Sequence, residues 1–376
     1  MAIVFFDGFE HALHPDYWTG INTELSVSQN GRSYGSHYNG ALNLNAGNFL
    51  ATRPRAAVTF TAQTTGTLYV GFAVNGLGDS AWRTLSEFRW PRNQLPVLSF
   101  YSSSGAEKFS LGFEPFTSPT PTLAVMQAGN YLNSFEITKE TGDYYVDSND
   151  GKLLGWNHFE FEIAGIGTAS AATISVRRNG VHLYPLIFST GTTIDNIAKI
   201  ELGSGHSNGS RYDDFYVINN SGTTTNTWLG PETTVYSTSL TPATPAEWVA
   251  VNGGGINSDD ADVSYFKTTQ YPKTSLFSLG SQYGDLSTFN NKVIAGISTF
   301  ARARKTSMDA AYQIAFKQAT VSDTIHPLNS RQLITNLSYR YTPITFTERN
   351  PATNLAWTPA DLFTNGLVGI QSVDPS

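Results

Sequence analysis

The chain has 376 residues, no cysteine and a net charge of −7, and only 14% of its residues are charged. Disulfides and thiolate metal sites are therefore excluded, and the acidic balance argues against a nucleic-acid groove, which needs clustered Lys and Arg. The length suits two domains, each able to bury a core of its own.

Helical periodicity is almost missing. The start, Met1-Ala2-Ile3-Val4-Phe5-Phe6-Asp7-Gly8-Phe9, has neither a basic lead nor a long apolar run, so it reads as a first core strand and not as a signal peptide. No stretch approaches the roughly 20 apolar residues that cross a bilayer. The expectation is assembly in a cytoplasm, without export or membrane insertion. His14-Pro15-Asp16-Tyr17-Trp18 reads as a short turn.

Short apolar or alternating runs then recur between Gly, Asn, Ser and Pro clusters, predicting strands over 56–61, 67–74, 97–101, 108–113, 123–126, 134–138, 156–163, 172–177, 197–202 and 213–218. In the run from Trp156 the residues Phe159, Phe161 and Ile163 share one face, so Glu160 and Glu162 are expected on the other, towards solvent or a partner. Asn179-Gly180 supplies the two positive-φ residues of a type I′ hairpin turn.

Residues 219–227 (Asn-Asn-Ser-Gly-Thr-Thr-Thr-Asn-Thr) are small and polar throughout and read as a linker. Beyond them strands are predicted over 233–237, 247–251, 263–267, 275–279, 293–302, 312–316, 332–341 and 368–373. Thr358-Pro359-Ala360-Asp361 has an N-cap Thr, Pro at the first helical position and an acid at the third, and Gly366 follows, so a short helix is expected there. The predicted fold class is all-β: one β-sandwich over 1–218, a linker over 219–227 and a smaller, jelly-roll-like sandwich over 228–376.

Chemistry-bearing patterns are sparse. The seven histidines never adopt a metal-ligand spacing, and no nucleophile elbow, P-loop or dinucleotide fingerprint is present. Asp213-Asp214 and Ser258-Asp259-Asp260-Ala261-Asp262 each read either as calcium ligands or as plain structural or solvated carboxylates. Arg302-Ala303-Arg304-Lys305 is the densest basic run, but a strand splits its charges between two faces. Aromatic rings stack on pyranoses, and Trp82, Trp90 and Tyr101 in the middle of the first domain are candidate glycan contacts, with 84–96 the expected loop.

Four landmarks in order carry a resemblance: the opening Phe5-Phe6-Asp7-Gly8-Phe9-Glu10, the closing Asp213-Asp214-Phe215-Tyr216-Val217, then Trp228-Leu229-Gly230, and last Asn350-Pro351 with Trp357-Thr358 and Gly369-Ile370. Ser264-Tyr265 and Ala301 to Lys305 fit the same pattern. Over nearly the whole chain this resembles a group of tailed-phage virion proteins. The resemblance implies a concanavalin A/laminin-G-like N-terminal sandwich followed by a second β-sandwich. It also implies a tail, fibre or head-surface component with no catalytic residues. That group reads Asp-Pro where this chain has Asn350-Pro351, and Leu-Gly-Asp where it has Leu229-Gly230-Pro231.

A sandwich of that kind can also be a glycosidase. The Glu-x-Asp-x-x-Glu run of laminarinase-type members is absent, although Glu160 and Glu162, about 7 Å apart on one strand face, lie within the range of an acid–base pair. The expectation is a non-enzymatic virion subunit without cofactor or metal. It would assemble as a homo-oligomer, a trimer first, and dock on other virion proteins. The alternative is an adhesin that reads host surface glycans through its first domain.

Overall fold

The structure, a computed structural model, describes residues 3–9, 17–21, 26–28, 41–44, 55–75, 96–113, 122–127, 130–136, 156–203, 210–222, 226–230, 240–243, 247–251, 265–279, 293–299, 301–306, 310–318, 320–321, 323–337, 340–341 and 345–375. Contacts divide the chain into two units, Met1–Val235 and Tyr236–Ser376. The sequence places the boundary earlier, at 227/228. The difference is physical, because Trp228 and Gly230 are held by residues of the first unit.

The first unit is a β-sandwich. One sheet runs in the order Val181–His182, Thr173–Arg178, Asn157–Ile166, Gly66–Asn75, Ser210–Asn219, Ala41–Leu44, Ser26–Ser28, with Ile3–Asp7 also on Ser210–Asn219 and Phe188–Ser189 on Thr173–Arg178. The other runs Asn130–Glu136, Thr122–Gln127, Glu107–Phe113, Pro96–Tyr101, Ile197–Gly203, Arg55–Gln63, Trp18–Ile21. Below, these are the first and the second sheet. Alternation builds the core: Val70, Phe72, Phe159, Phe161, Ile163 and Val217 come from the first sheet, and Val58, Leu98, Phe100, Phe109, Ile200 and Leu202 from the second, all essentially inaccessible.

The opening and closing landmarks are neighbours. Ile3–Asp7 pairs antiparallel with Ser210–Asn219, setting Phe6 opposite Tyr216 and Asp7 opposite Phe215. Asp7 is buried; its Oδ1 accepts from Phe9 N at 2.8 Å and its Oδ2 from Trp18 Nε1 at 2.9 Å. Trp18, which the sequence places in a turn, instead begins a strand, and its indole packs on Phe5, Phe9 and Phe215 at 5.3–5.8 Å. Asp7 thus fixes the chain start by satisfying two buried donors. Asn179 and Gly180 have φ of 49° and 85°, as the hairpin turn requires.

In the second unit a six-stranded sheet has the order Leu240–Pro242, Lys273–Leu279, Gly366–Val373, Ala310–Gln318, His326–Pro327, with Gln332–Ile334 also on Ala310–Gln318. Two-stranded pairs accompany it, among them Ile297–Thr299 with Thr345–Thr347 and Arg302–Ala303 with Arg340–Tyr341. Tyr312, Ile314, Phe316, Leu328, Trp357 and Leu362 form its core, with Ile297, Ala301 and Ala303 packed against them. The helix Pro359–Phe363 has the expected capping box, in which Thr358 Oγ1 accepts from Asp361 N and Asp361 Oδ2 accepts from Thr358 N.

Asn350 is fully buried beside that helix. Its Nδ2 donates to Gln318 Oε1 at 2.7 Å, and Gln318 Nε2 donates to Asp361 Oδ1 at 2.7 Å. Its Oδ1 accepts from Ala352 N at 2.9 Å, so the loop holding Pro351 is tied to strand and helix together. The fourth landmark is a joint.

Candidate functional site

Two polar arrays lie on the faces of the first unit that turn away from its core. On the second sheet, Lys199-Ile200-Glu201 alternates so that Ile200 enters the core while Lys199 and Glu201 point outwards. Glu201 stands opposite Ala57 and Ser99, Ser99 opposite Ser110, and Ser110 opposite Met126. These residues are buried although they face away from the core, and Glu201 is only 4% exposed.

A carboxylate so desolvated needs partners. Lys199 Nζ donates to Glu201 Oε1 at 2.7 Å; Arg55 Nη1 at 3.1 Å and the Tyr101 hydroxyl at 2.8 Å donate to Oε2. The Lys199 ammonium also sits 3.9 Å from the centre of the Tyr101 ring. Burial pushes the Glu201 carboxyl up, but Lys199, Tyr101 and Arg55 outweigh it and hold the group below its ordinary value. Burial, then the Glu201 carboxylate, drives the Tyr101 phenol well above its usual value. At neutral pH the cluster is a fixed carboxylate with two partly exposed cations and a protonated phenol.

Of the candidate glycan contacts, Tyr101 thus belongs to this cluster, with its ring covered on one side by Lys199. Trp82, Trp90 and the 84–96 loop lie outside the described residues. The sequence singled out Tyr101 but missed Glu201, Lys199 and Arg55. The Lys-Ile-Glu alternation was a readable signal for two of them; nothing local marks Arg55, 146 residues away from Glu201.

On the first sheet Glu160, Gly71 and Tyr216 stand in one cross-strand row. The Tyr216 ring lies over Gly71, where a Cβ would overlap it, and its hydroxyl donates to Glu160 Oε1. Glu160 is fully buried, which corrects the expectation of a solvated or partner-facing pair. The cover includes Trp228-Leu229-Gly230: Gly230 N donates to the same Oε1 at 2.8 Å, while Oε2 is buried with no hydrogen-bond donor among the described residues. Glu162 accepts from the Tyr69 hydroxyl at 3.1 Å. Burial and that carboxylate raise the Tyr69 phenol, which Thr227 also hydrogen-bonds.

The Trp228 indole is enclosed on several sides. The Arg177 guanidinium lies 4.5 Å from its ring centre, and Tyr69 and His182 meet it edge-on at 5.5 Å each. Arg177 Nε donates to His182 Nε2 at 2.9 Å, which fixes a neutral imidazole. Burial and Arg177 hold His182 below the ordinary imidazole value, against the opposing pull of Glu162 and Glu160.

Asp213-Asp214 sits inside the strand Ser210–Asn219, which begins three residues earlier than the predicted 213–218. Asp213 Oδ1 accepts from Asp214 N at 2.8 Å, and Asp214 has φ of 49° where the register shifts against Gly66–Asn75. Both carboxylates are buried at this bulge. Asp259, Asp260 and Asp262 lie outside the described residues.

No family model matches the chain, and no curated protein matches it. Solved structures similar to it include the SAP-like pentraxin of Limulus polyphemus, 14% identical over 46% of this chain and 74% of that one, with a TM-score of 0.32. Lectin I-B4 of Griffonia simplicifolia is 12% identical over 57% and 98%, with a TM-score of 0.33. The binding domain of Paraclostridial Mosquitocidal Protein 1 is 10% identical over 76% and 72%, with a TM-score of 0.34. Nothing about what this chain binds follows from likenesses so distant.

Proposed function

We propose that the chain is a non-enzymatic structural component of a tailed-phage particle, acting by homo-oligomerisation and docking to other virion proteins. One observation carries the reading: the four ordered landmarks are joints of the fold. Phe5–Asp7 pairs with Phe215–Val217, Trp228–Gly230 is held over Glu160, and Asn350 ties Gln318 to Ala352. The one carboxylate pair that invites acid–base chemistry is already engaged, since Glu160 Oε1 receives Tyr216 and Gly230 and Glu162 receives Tyr69. A general acid or base needs an oxygen within reach of substrate. The reading is tested by quantitative mass spectrometry of purified particles of the phage that encodes the chain. Several copies per particle are expected; a chain found in the lysate but absent from particles overturns it.

A second reading is favoured by the Arg55–Glu201–Lys199–Tyr101 cluster: the first unit binds carbohydrate, with Trp82, Trp90 and Tyr101 as contacts. The two partly exposed cations of this face, Arg55 and Lys199, can donate hydrogen bonds to sugar hydroxyls. Binding on a glycan array that is lost in Trp82→Ala or Trp90→Ala would support it, and a silent array would remove it.

A further inference from the structure

We propose that the face formed by Tyr69, Glu160, Arg177 and His182 is a recognition site for an extended Thr-Trp-Leu-Gly segment, and that subunits associate by exchanging that segment, Thr227–Gly230 of one copy filling the face of the next. The inference rests on the self-association proposed above and assigns it a site.

The groups that this face reads belong to residues 227–230. Thr227 meets Tyr69, the Trp228 ring meets Arg177, His182 and Tyr69, and Gly230 N–H meets the buried Glu160 carboxylate. The recognition therefore does not depend on covalent continuity with the strand Ser210–Asn219. A Trp enclosed by Arg and Tyr, beside one desolvated charge-assisted hydrogen bond, is the composition of an interface hot spot. Only the small polar residues Gly222 to Asn226 separate the segment from Asn219–Ser221, which are hydrogen-bonded at the strand end, and exchange of an element between identical chains needs no surface that a single chain lacks. A head-to-tail exchange closes into a ring, three subunits included, when the rotation between neighbours closes.

A second, independent observation points to another copy as the occupant. Leu183 is buried, so His182 and Tyr184 on either side of it project outwards together at the sheet edge. Tyr184, Leu186 and Ile187 are 66%, 61% and 67% exposed, an apolar stretch that begins two residues after His182, between two short strands that both pair with Thr173–Arg178. A neighbouring subunit that supplies the segment would arrive at this edge and cover it.

The test is sedimentation velocity on full-length chains of three kinds: the unaltered chain, Trp228→Ala, which spoils the segment, and Arg177→Ala/His182→Ala, which spoils the face. Each altered chain alone is expected to need at least tenfold higher concentration to associate. An equimolar mixture, in which the intact segment of one variant can fill the intact face of the other, is expected to form a heterodimer of the two differently labelled chains that neither variant forms alone. Association of Trp228→Ala equal to that of the unaltered chain overturns the exchange and leaves the proposed function standing, whereas an unaltered chain that never associates overturns both. Should either variant fail to fold, a free peptide of residues 225–231 added to the unaltered chain decides: dissociation by it, and not by its Trp→Ala form, supports the exchange, and no dissociation overturns it.

Discussion

The Tyr216 ring lies across Gly71 to reach Glu160, so one glycine allows a phenol on one strand to satisfy a buried carboxylate two strands away. Sheet geometry makes this arrangement specific. The three residues share one cross-strand row, and only a missing side chain in the middle lets the outer two meet.

Gly71→Ala is therefore expected to cost about 1–3 kcal/mol through overpacking, plus the loss of the Tyr216 bond to Glu160. In Gly71→Ala/Tyr216→Ala the overlap no longer exists, so the double variant should be less destabilised than the sum of the singles. Urea denaturation of all three checks this; strict additivity would mean that the ring does not occupy the glycine gap.

Glu201 makes the second sheet acid-sensitive. Its carboxyl is held below the ordinary value in the folded chain, so its contribution is complete above the unfolded value and is lost as pH falls through the lower folded one. Glu201→Gln should cost about 1–3 kcal/mol at neutral pH and flatten the fall in stability on acidification. Thermal melts of both chains between neutral and strongly acidic pH measure the difference; parallel curves would contradict the assignment.

His182 gives the Trp228 site the same sense of pH dependence in a higher window. Its folded value is depressed, so docking is stable above the ordinary imidazole range and weakens as pH falls through the depressed value. Protonation removes the acceptor of the Arg177 N–H and sets two cations together. A fluorescence change with this midpoint, absent in Trp228→Phe, is expected. A change that persists in Trp228→Phe belongs to other tryptophans.

Asn350→Asp tests the joint in the second unit. Gln318 now offers its oxygen to Asn350 and its amide nitrogen to Asp361. A carboxylate at 350 forces the Gln318 amide to turn round and to present its oxygen to Asp361. The substitution should destabilise by about 1–3 kcal/mol at neutral pH and less at acid pH, where the new carboxyl protonates. A denaturation series against pH checks both signs.

Local chemistry was legible in the sequence; what covers a residue was not. The Asn179-Gly180 turn and the Thr358–Asp361 capping box are written in adjacent residues, and alternation correctly separated Phe159, Phe161 and Ile163 from Glu160 and Glu162. Alternation says which face a side chain takes but not what lies on that face. It could not show that residues near 230 return over Glu160, nor that Arg55 reaches Glu201. Those contacts join positions 70 and 146 residues apart. Short strands such as Trp18–Ile21 were missed because four residues hold too few alternations to outweigh a Pro-Asp turn signal nearby.

Self-assembly of this chain is read most simply from the mass of the full-length protein in solution, followed by light scattering over a range of concentrations. A closed homo-oligomer of fixed mass, a trimer first, is the predicted result. A monodisperse monomer at every concentration would contradict it.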